Sequence, residues 1–217
     1  MGPVFLVPIF IELVENSLNK NRIIKNICVF CSSSDYLDEV YYNDAKELGR
    51  LIGQNGFNIV YGGSTLGMMW ECASEVKNNG GKIFGVMPQR LVDLGCRTDN
   101  CDKFYLADGM RDRKQKMDDI SDAVIAMAGG FGTLEEFAEM FVQKQLGYNR
   151  KAIVILNTNG YYDNLLDFFE KIVDEKFANK SARDLVYVAS TPQEVIDYIK
   201  NYRQPESLPS KHEIYSR

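Results

Sequence analysis

An α/β domain with a mainly parallel sheet of about seven strands, covered by helices on both faces, is predicted by three observations. Short apolar runs alternate with longer amphipathic stretches from residue 26 to about residue 203. The runs are apolar enough to be buried on both sides, as strands in a parallel sheet are. Three of them leave their carboxyl ends in small residues, CSSS at 31–34, YGGSTLG at 61–67 and AGGFGT at 128–133, which is where ligands sit in such folds.

The elements follow in order. NICVFCS (26–32) reads as the first strand, and residues 36–56 as a helix closed by Gly56. FNIVYGG (57–63) is the next strand, and MMWECASEVKNNGG (68–81) a helix ending in paired glycines. KIFGVMP (82–88) and DKFYLAD (102–108) are strands joined by an irregular segment. A helix begins near Met110 or Arg111, AVIAMAGG (123–130) is a strand, and TLEEFAEMFVQKQLG (133–147) a helix. AIVILN (152–157), a helix from about Tyr161 to Phe177, LVYVAS (185–190) and a helix opened by Thr191-Pro192 complete the alternation.

At 217 residues, 45% of them hydrophobic, the chain suits one sizeable core. The expected organisation is an apolar N-terminal arm and linker over 1–25, one catalytic domain over 26–203, and a polar tail over 204–217. The arm, MGPVFLVPIFIELV, lacks a basic leader and is shorter than the ~20 residues a membrane helix needs. It is expected to pack on its own domain or a partner subunit, with a membrane-surface anchor as the second reading. The net charge of −5 supplies no basic field for a nucleic-acid polymer.

The one histidine, His212, lies in the polar tail, which removes Ser-His-Asp, Cys-His and histidine-rich metal chemistry. Carboxylates, arginine or lysine must carry any reaction. Five cysteines without a secreted spacing point to a reducing, cytoplasmic compartment. Cys28 and Cys31 form a C-x-x-C, but residues three apart on a strand face opposite ways, so both are expected in the core.

Glycine lets a backbone approach a ligand closely, and a following helix offers unpaired N–H groups to an anion. Gly62 and Gly63, and Gly129, Gly130 and Gly132, could therefore hold a phosphate, or could simply end strands tightly. Neither loop fits the dinucleotide fingerprint, and no P-loop occurs. GMRDRKQKM (109–117) brings Arg111, Arg113 and Lys114 to a helix start, either as a solvated face or as cations toward the glycine crevice. Cations there oppose the helix dipole unless an anion compensates. Thr133-x-x-Glu136 fits a capping box, so Glu136 is open between cap and catalyst.

These motifs together resemble the Lonely Guy (LOG) phosphoribohydrolases, a family formerly described as lysine decarboxylases. Its signature P-G-G-x-G-T-x-x-E matches from Gly129 to Glu136, with Ala128 at the proline position. Its M-x-x-R-K element is Met110 to Lys114. VFCSSS, VYGGSTLGMM, IFGVMP, QLG and NGYYDNLL fall in the same order, over roughly residues 26–200. Ser32, Ser64, Trp70, Arg111, Asp112 and Gly95 depart from residues usual in the family.

The resemblance implies a Rossmann-like, doubly wound fold. It also implies hydrolysis of the N-glycosidic bond of adenine-type, N6-modified (cytokinin) nucleoside 5′-monophosphates, giving free base and ribose 5-phosphate. By position it makes Arg113 and Glu136 the catalytic pair. Gly129, Gly130, Gly132 and Thr133 would hold the phosphate, with Lys114, Glu135, Ser33, Gly62 and Gly63 also in the substrate site. No cofactor and no metal are implied, and a homodimer or larger homo-oligomer is. Two other readings stand beside it: a noncatalytic nucleotide or cofactor carrier of the same fold, and a pyridoxal-phosphate decarboxylase, for which no lysine has a recognisable setting.

Overall fold

The computed structural model describes residues 24–205. The proposed arm and polar tail, with His212, therefore lie almost wholly outside the described residues. Seven strands form one parallel sheet: β1 (Asn26–Phe30), β2 (Asn58–Tyr61), β3 (Ile83–Pro88), β4 (Lys103–Ala107), β5 (Ala123–Ala126), β6 (Ala152–Leu156) and β7 (Tyr187–Ala189). Their order is β4-β3-β2-β1-β5-β6-β7. The winding reverses beside β1, whose registers pair Cys28 with Val60 on one side and with Val124 on the other. The crevice between β1 and β5 is thus the topological switch point.

Among the described residues six helices connect the strands, α1 (Glu39–Gln54), α2 (Gly67–Asn78), α3 (Gln89–Asp93), α4 (Met110–Asp119), α5 (Phe131–Gln145) and α6 (Asp163–Asp174), and a seventh, α7 (Pro192–Asn201), follows β7. α1, α2 and α7 cover one face, burying Leu48, Ile52, Met68, Val76, Val195 and Ile199 against Ile27, Ile59 and Ile125. α4, α5 and α6 cover the other, where Met117, Phe137 and Met140 meet Phe30, Val124 and Ile153. Strand residues alternate between these cores as the pleat requires. Cys28 falls in one and Cys31 in the other, so their sulfurs do not converge. Burial raises both thiols well above the usual range.

Two glycines set the spacing of α1 and α2. A Cβ on Gly49 would lie 2.2 Å from the Cys72 carbonyl oxygen, and one on Gly53 2.6 Å from that of Val76. Four residues apart, they form one bare stripe along α1. The predicted irregular segment between β3 and β4 holds the one-turn helix α3 and an antiparallel bridge between Ser64 and Arg97. The helix expected from Tyr161 to Phe177 is narrower, because Thr158–Gly160 form a 3-10 turn and Tyr161 and Tyr162 precede α6.

Candidate active site

The two central motifs meet at the carboxyl end of the sheet. β4 is the edge strand and β5 lies four positions away in the sheet, so the helix after β4 has to run back over one face before its Arg113 and Lys114 can meet Glu136 and Glu135 of α5. Arg113 and Glu136 are each 5% exposed, and an Arg113 Nη1–H donates to Glu136 Oε1. Arg113 Nε–H also donates to the Val86 carbonyl at 3.2 Å, which fixes the plane of the guanidinium. Gly62 lies underneath, where a Cβ would come within 2.8 Å of Arg113 Nη2.

Thr133 does not cap a helix that includes Glu136. α5 begins at Phe131 with Gly130 as its cap residue, so Thr133 is the third helical residue and Glu136 lies in the second turn. Among the described residues no side chain accepts a hydrogen bond from the first N–H groups of this helix. The end-stop role for Glu136 is thereby removed, and its carboxylate is committed to Arg113. Burial raises the Glu136 carboxyl above the ordinary range, and Arg113 only partly offsets that shift.

The first turn of α5 keeps open donors. The Leu134 N–H to Gly130 carbonyl bond (3.1 Å) starts the ladder, so the Phe131, Gly132 and Thr133 N–H groups have no partner within the helix. A Cβ on Gly129 would strike Thr133 Oγ1 at 2.2 Å, which accounts for that glycine by packing. Gly130 and Gly132 meet nothing within 4 Å of such a Cβ, and neither has positive φ. Nothing in the chain itself demands glycine at these two positions. Ser33 is exposed on the neighbouring β1 loop, which is tied in by the Ser32 N–H to Ala128 carbonyl bond of 3.2 Å.

The remaining predicted residues sit differently. Lys114 pairs with Glu135 and Glu139, bridging α4 to α5 on the outer side of the site. Burial alone would lower the Lys114 ammonium, but the hydrogen bonds to these glutamates raise it above its usual value. The cations at the start of α4 thus have their compensating anions within the chain: Glu136 for Arg113, and Glu135 and Glu139 for Lys114. Arg111 is exposed. Gly63 packs inward, where a Cβ would stand 3.1 Å from the Phe104 ring, and so does not face the crevice floor beside Gly62.

Three contributors had no assigned role from sequence. Asp35 Oδ1 accepts the Gly67 N–H at 2.8 Å, capping α2. Tyr161 Oη–H donates to the Gly129 carbonyl at 2.6 Å, and Tyr162 Oη–H to the Met127 carbonyl at 2.7 Å. The signal for the tyrosines was the Asn159-Gly160 turn at the carboxyl end of β6, on the ligand side of the sheet.

The profile of the family described as possible lysine decarboxylase matches residues 69–199. A probable cytokinin riboside 5′-monophosphate phosphoribohydrolase, LOGL2 of Oryza sativa subsp. japonica, is 37% identical over 188 residues, covering 86% of this chain and 77% of that protein. The cytokinin riboside 5′-monophosphate phosphoribohydrolase LOG3 of Arabidopsis thaliana is 34% identical over 191 residues, 88% of each. Among solved structures, the molybdenum cofactor binding protein of Rippkaea orientalis superposes with a TM-score of 0.63 at 24% identity, covering 83% of this chain and 98% of that one. That last likeness concerns the fold alone, whereas the matched profile and the plant relatives, with the signature residues meeting at one crevice, make the chain a member of the Lonely Guy family.

Proposed function

We propose that the protein hydrolyses the N-glycosidic bond of adenine-type nucleoside 5′-monophosphates, N6-modified ones included, to free base and ribose 5-phosphate. The observation that carries this reading is the buried Arg113–Glu136 pair beside an uncapped helix start whose glycines the fold does not require. The relatives named for this reaction support it. In the proposed mechanism the backbone N–H groups of 130–133 grip the 5′-phosphate. The ribose then lies toward Glu136.

As the C1′–N bond breaks, its electron pair leaves with the base and C1′ becomes cationic, resembling an oxocarbenium ion. The ionised Glu136 carboxylate stabilises that charge and accepts a hydrogen bond from the attacking water. Water oxygen bonds to C1′, one of its protons ends on the base, and the carboxylate is regenerated. Arg113 holds Glu136 in place and keeps it ionised against the cost of burial. No cofactor takes part.

Chromatography of products from AMP and N6-isopentenyl-AMP, with the matching nucleosides as controls, tests this. Free base from the nucleotides, and at least about a hundredfold less from the nucleosides, is expected; the factor corresponds to a few kcal/mol of phosphate binding. Intact nucleotides would refute the reaction, and equal cleavage of nucleosides would refute the phosphate grip. The carrier reading rests on fold alone and leaves the Arg113–Glu136 pair without a use.

The proposed assembly is a homodimer through the outer face of α5 and α6. Leu134, Val142, Phe177 and Val188 are exposed there and line an apolar groove of about 540 Å³. Such a face suits a second copy of the chain. The five unpaired cysteines suit a reducing, cytoplasmic setting. Among the described residues no helix is long and apolar enough to cross a membrane.

A further inference from the structure

The turn after β6 is built at a cost. Asn159 has φ 53° and Gly160 φ 70°, so two successive residues occupy the left-handed region, one of them with a side chain. Such a turn persists when its surroundings over-determine it. Here Thr158, 1% exposed, donates from Oγ1 to Asp44 of α1 at 2.6 Å. Asn157 accepts the Tyr162 N–H and donates to the Asp163 carboxylate, both at 2.7 Å. A Cβ on Gly160 would meet Asp163 Oδ2 at 2.6 Å. The Tyr41 ring packs edge-on against Tyr161, with centroids 5.8 Å apart.

This scaffold returns two adjacent phenols to the loop after β5. Tyr162 holds the Met127 carbonyl, the Ser32 N–H holds that of Ala128, and Tyr161 holds that of Gly129. Three consecutive carbonyls are pinned from outside the loop. A trans peptide is planar, with C=O and the following N–H pointing in opposite directions. Fixing the Gly129 carbonyl therefore aims the Gly130 N–H away from Tyr161. The Gly129-Gly130 peptide has no side chain on either flank to resist a flip, so this bond is its main restraint.

We propose that Tyr161 is a positioning residue for the anion cradle: its hydroxyl holds the Gly129 carbonyl so that the Gly130 N–H stays turned toward a bound 5′-phosphate. The inference rests on the phosphate site proposed above. Tyr162 is buried and serves the core, whereas Tyr161 is 45% exposed, so its hydroxyl can be removed without emptying a cavity.

The test is Tyr161→Phe in the full chain. Calorimetric titration with AMP is expected to give about tenfold weaker binding, the usual worth of one well-placed hydrogen bond. In turnover, KM for N6-isopentenyl-AMP should rise by a similar factor, with kcat and the Tm nearly unchanged and slow nucleoside cleavage unaffected. Equal AMP affinity in wild type and variant would overturn the inference while leaving the proposed reaction standing. A fall in kcat for nucleotide and nucleoside alike would also overturn it, because the effect would not pass through the phosphate. If wild type binds AMP but cleaves nothing, weaker binding by the variant upholds the inference and sinks the reaction. If wild type does not bind AMP, both fail.

Discussion

The two glycine loops look alike in sequence and differ in what their glycines are for. In the loop after β2, a Cβ would strike the chain itself at every glycine: Arg113 from Gly62, the Phe104 ring from Gly63, and the Ser33 and Ser34 backbone at 2.5 Å from Gly67. The helix that follows is already served, since Asp35 accepts the Gly67 N–H and Ser64 Oγ accepts that of Leu66. In the loop after β5 only Gly129 is explained by packing. Gly130 and Gly132 face open space. The helix after β2 receives a carboxylate from the loop after β1, whereas the helix after β5 receives none among the described residues. Glycine spacing alone does not distinguish a glycine held by packing from one that faces open space; the atoms opposite the missing Cβ do.

Four substitutions would break or sharpen this contrast. The largest effect is expected from Glu136→Gln, which keeps the shape at the binding loop but removes the charge. Base release should fall about 10³-fold, the scale of losing one preorganised electrostatic group, with an unchanged circular dichroism spectrum. Wild-type turnover would remove Glu136 from the mechanism.

Arg113→Ala, which deletes the group resting on Gly62, leaves the Glu136 carboxylate buried and unpaired. A loss of about 3–5 kcal/mol in urea denaturation is expected, together with loss of activity. In wild type, burial already raises the Glu136 carboxyl above 4.5, so the acid limb of kcat/KM should lie above that value, with activity lost as pH falls through it. Residual activity in Arg113→Ala should show this limb displaced further upward, because the influence that lowers the carboxyl is gone. An unmoved limb would assign it to another group.

Gly67→Ala and Gly132→Ala carry the comparison itself. At Gly67, with φ 55° and backbone 2.5 Å away, alanine should cost about 2–4 kcal/mol by denaturation. At Gly132 the same change should stabilise the helix by about 0.5 kcal/mol, while raising KM for the nucleotide about tenfold by crowding the phosphate. A Gly132→Ala protein that is both more stable and fully active would mean that the open space has no guest.

The architecture was legible because the apolar runs and their punctuation are strong local signals, and even the placement of Cys28 and Cys31 in opposite cores followed from strand periodicity. The boundaries of α5 were less so. Thr133 and Glu136 imitate a capping box, and only the helix start at Phe131 shows that Gly130 fills the cap position. The basic run of α4 could be read as ligand-facing or solvated; in the structure Arg111 is exposed, and Arg113 and Lys114 have partners that the sequence does not reveal. Arg113 and Lys114 are neutralised by glutamates from α5, a pairing across 23 and 21 residues that no local pattern encodes. Tyr161 was within reach as part of an Asn-Gly turn, but its Gly129 partner lies 32 residues earlier.

A crystal of the Glu136→Gln protein soaked with AMP tests the central claim most directly. The account predicts the 5′-phosphate on the N–H groups of residues 130–133, with C1′ facing the side chain at 136. A nucleotide lodged on the loop after β2, or one bound after β5 with its ribose turned from position 136, would contradict it.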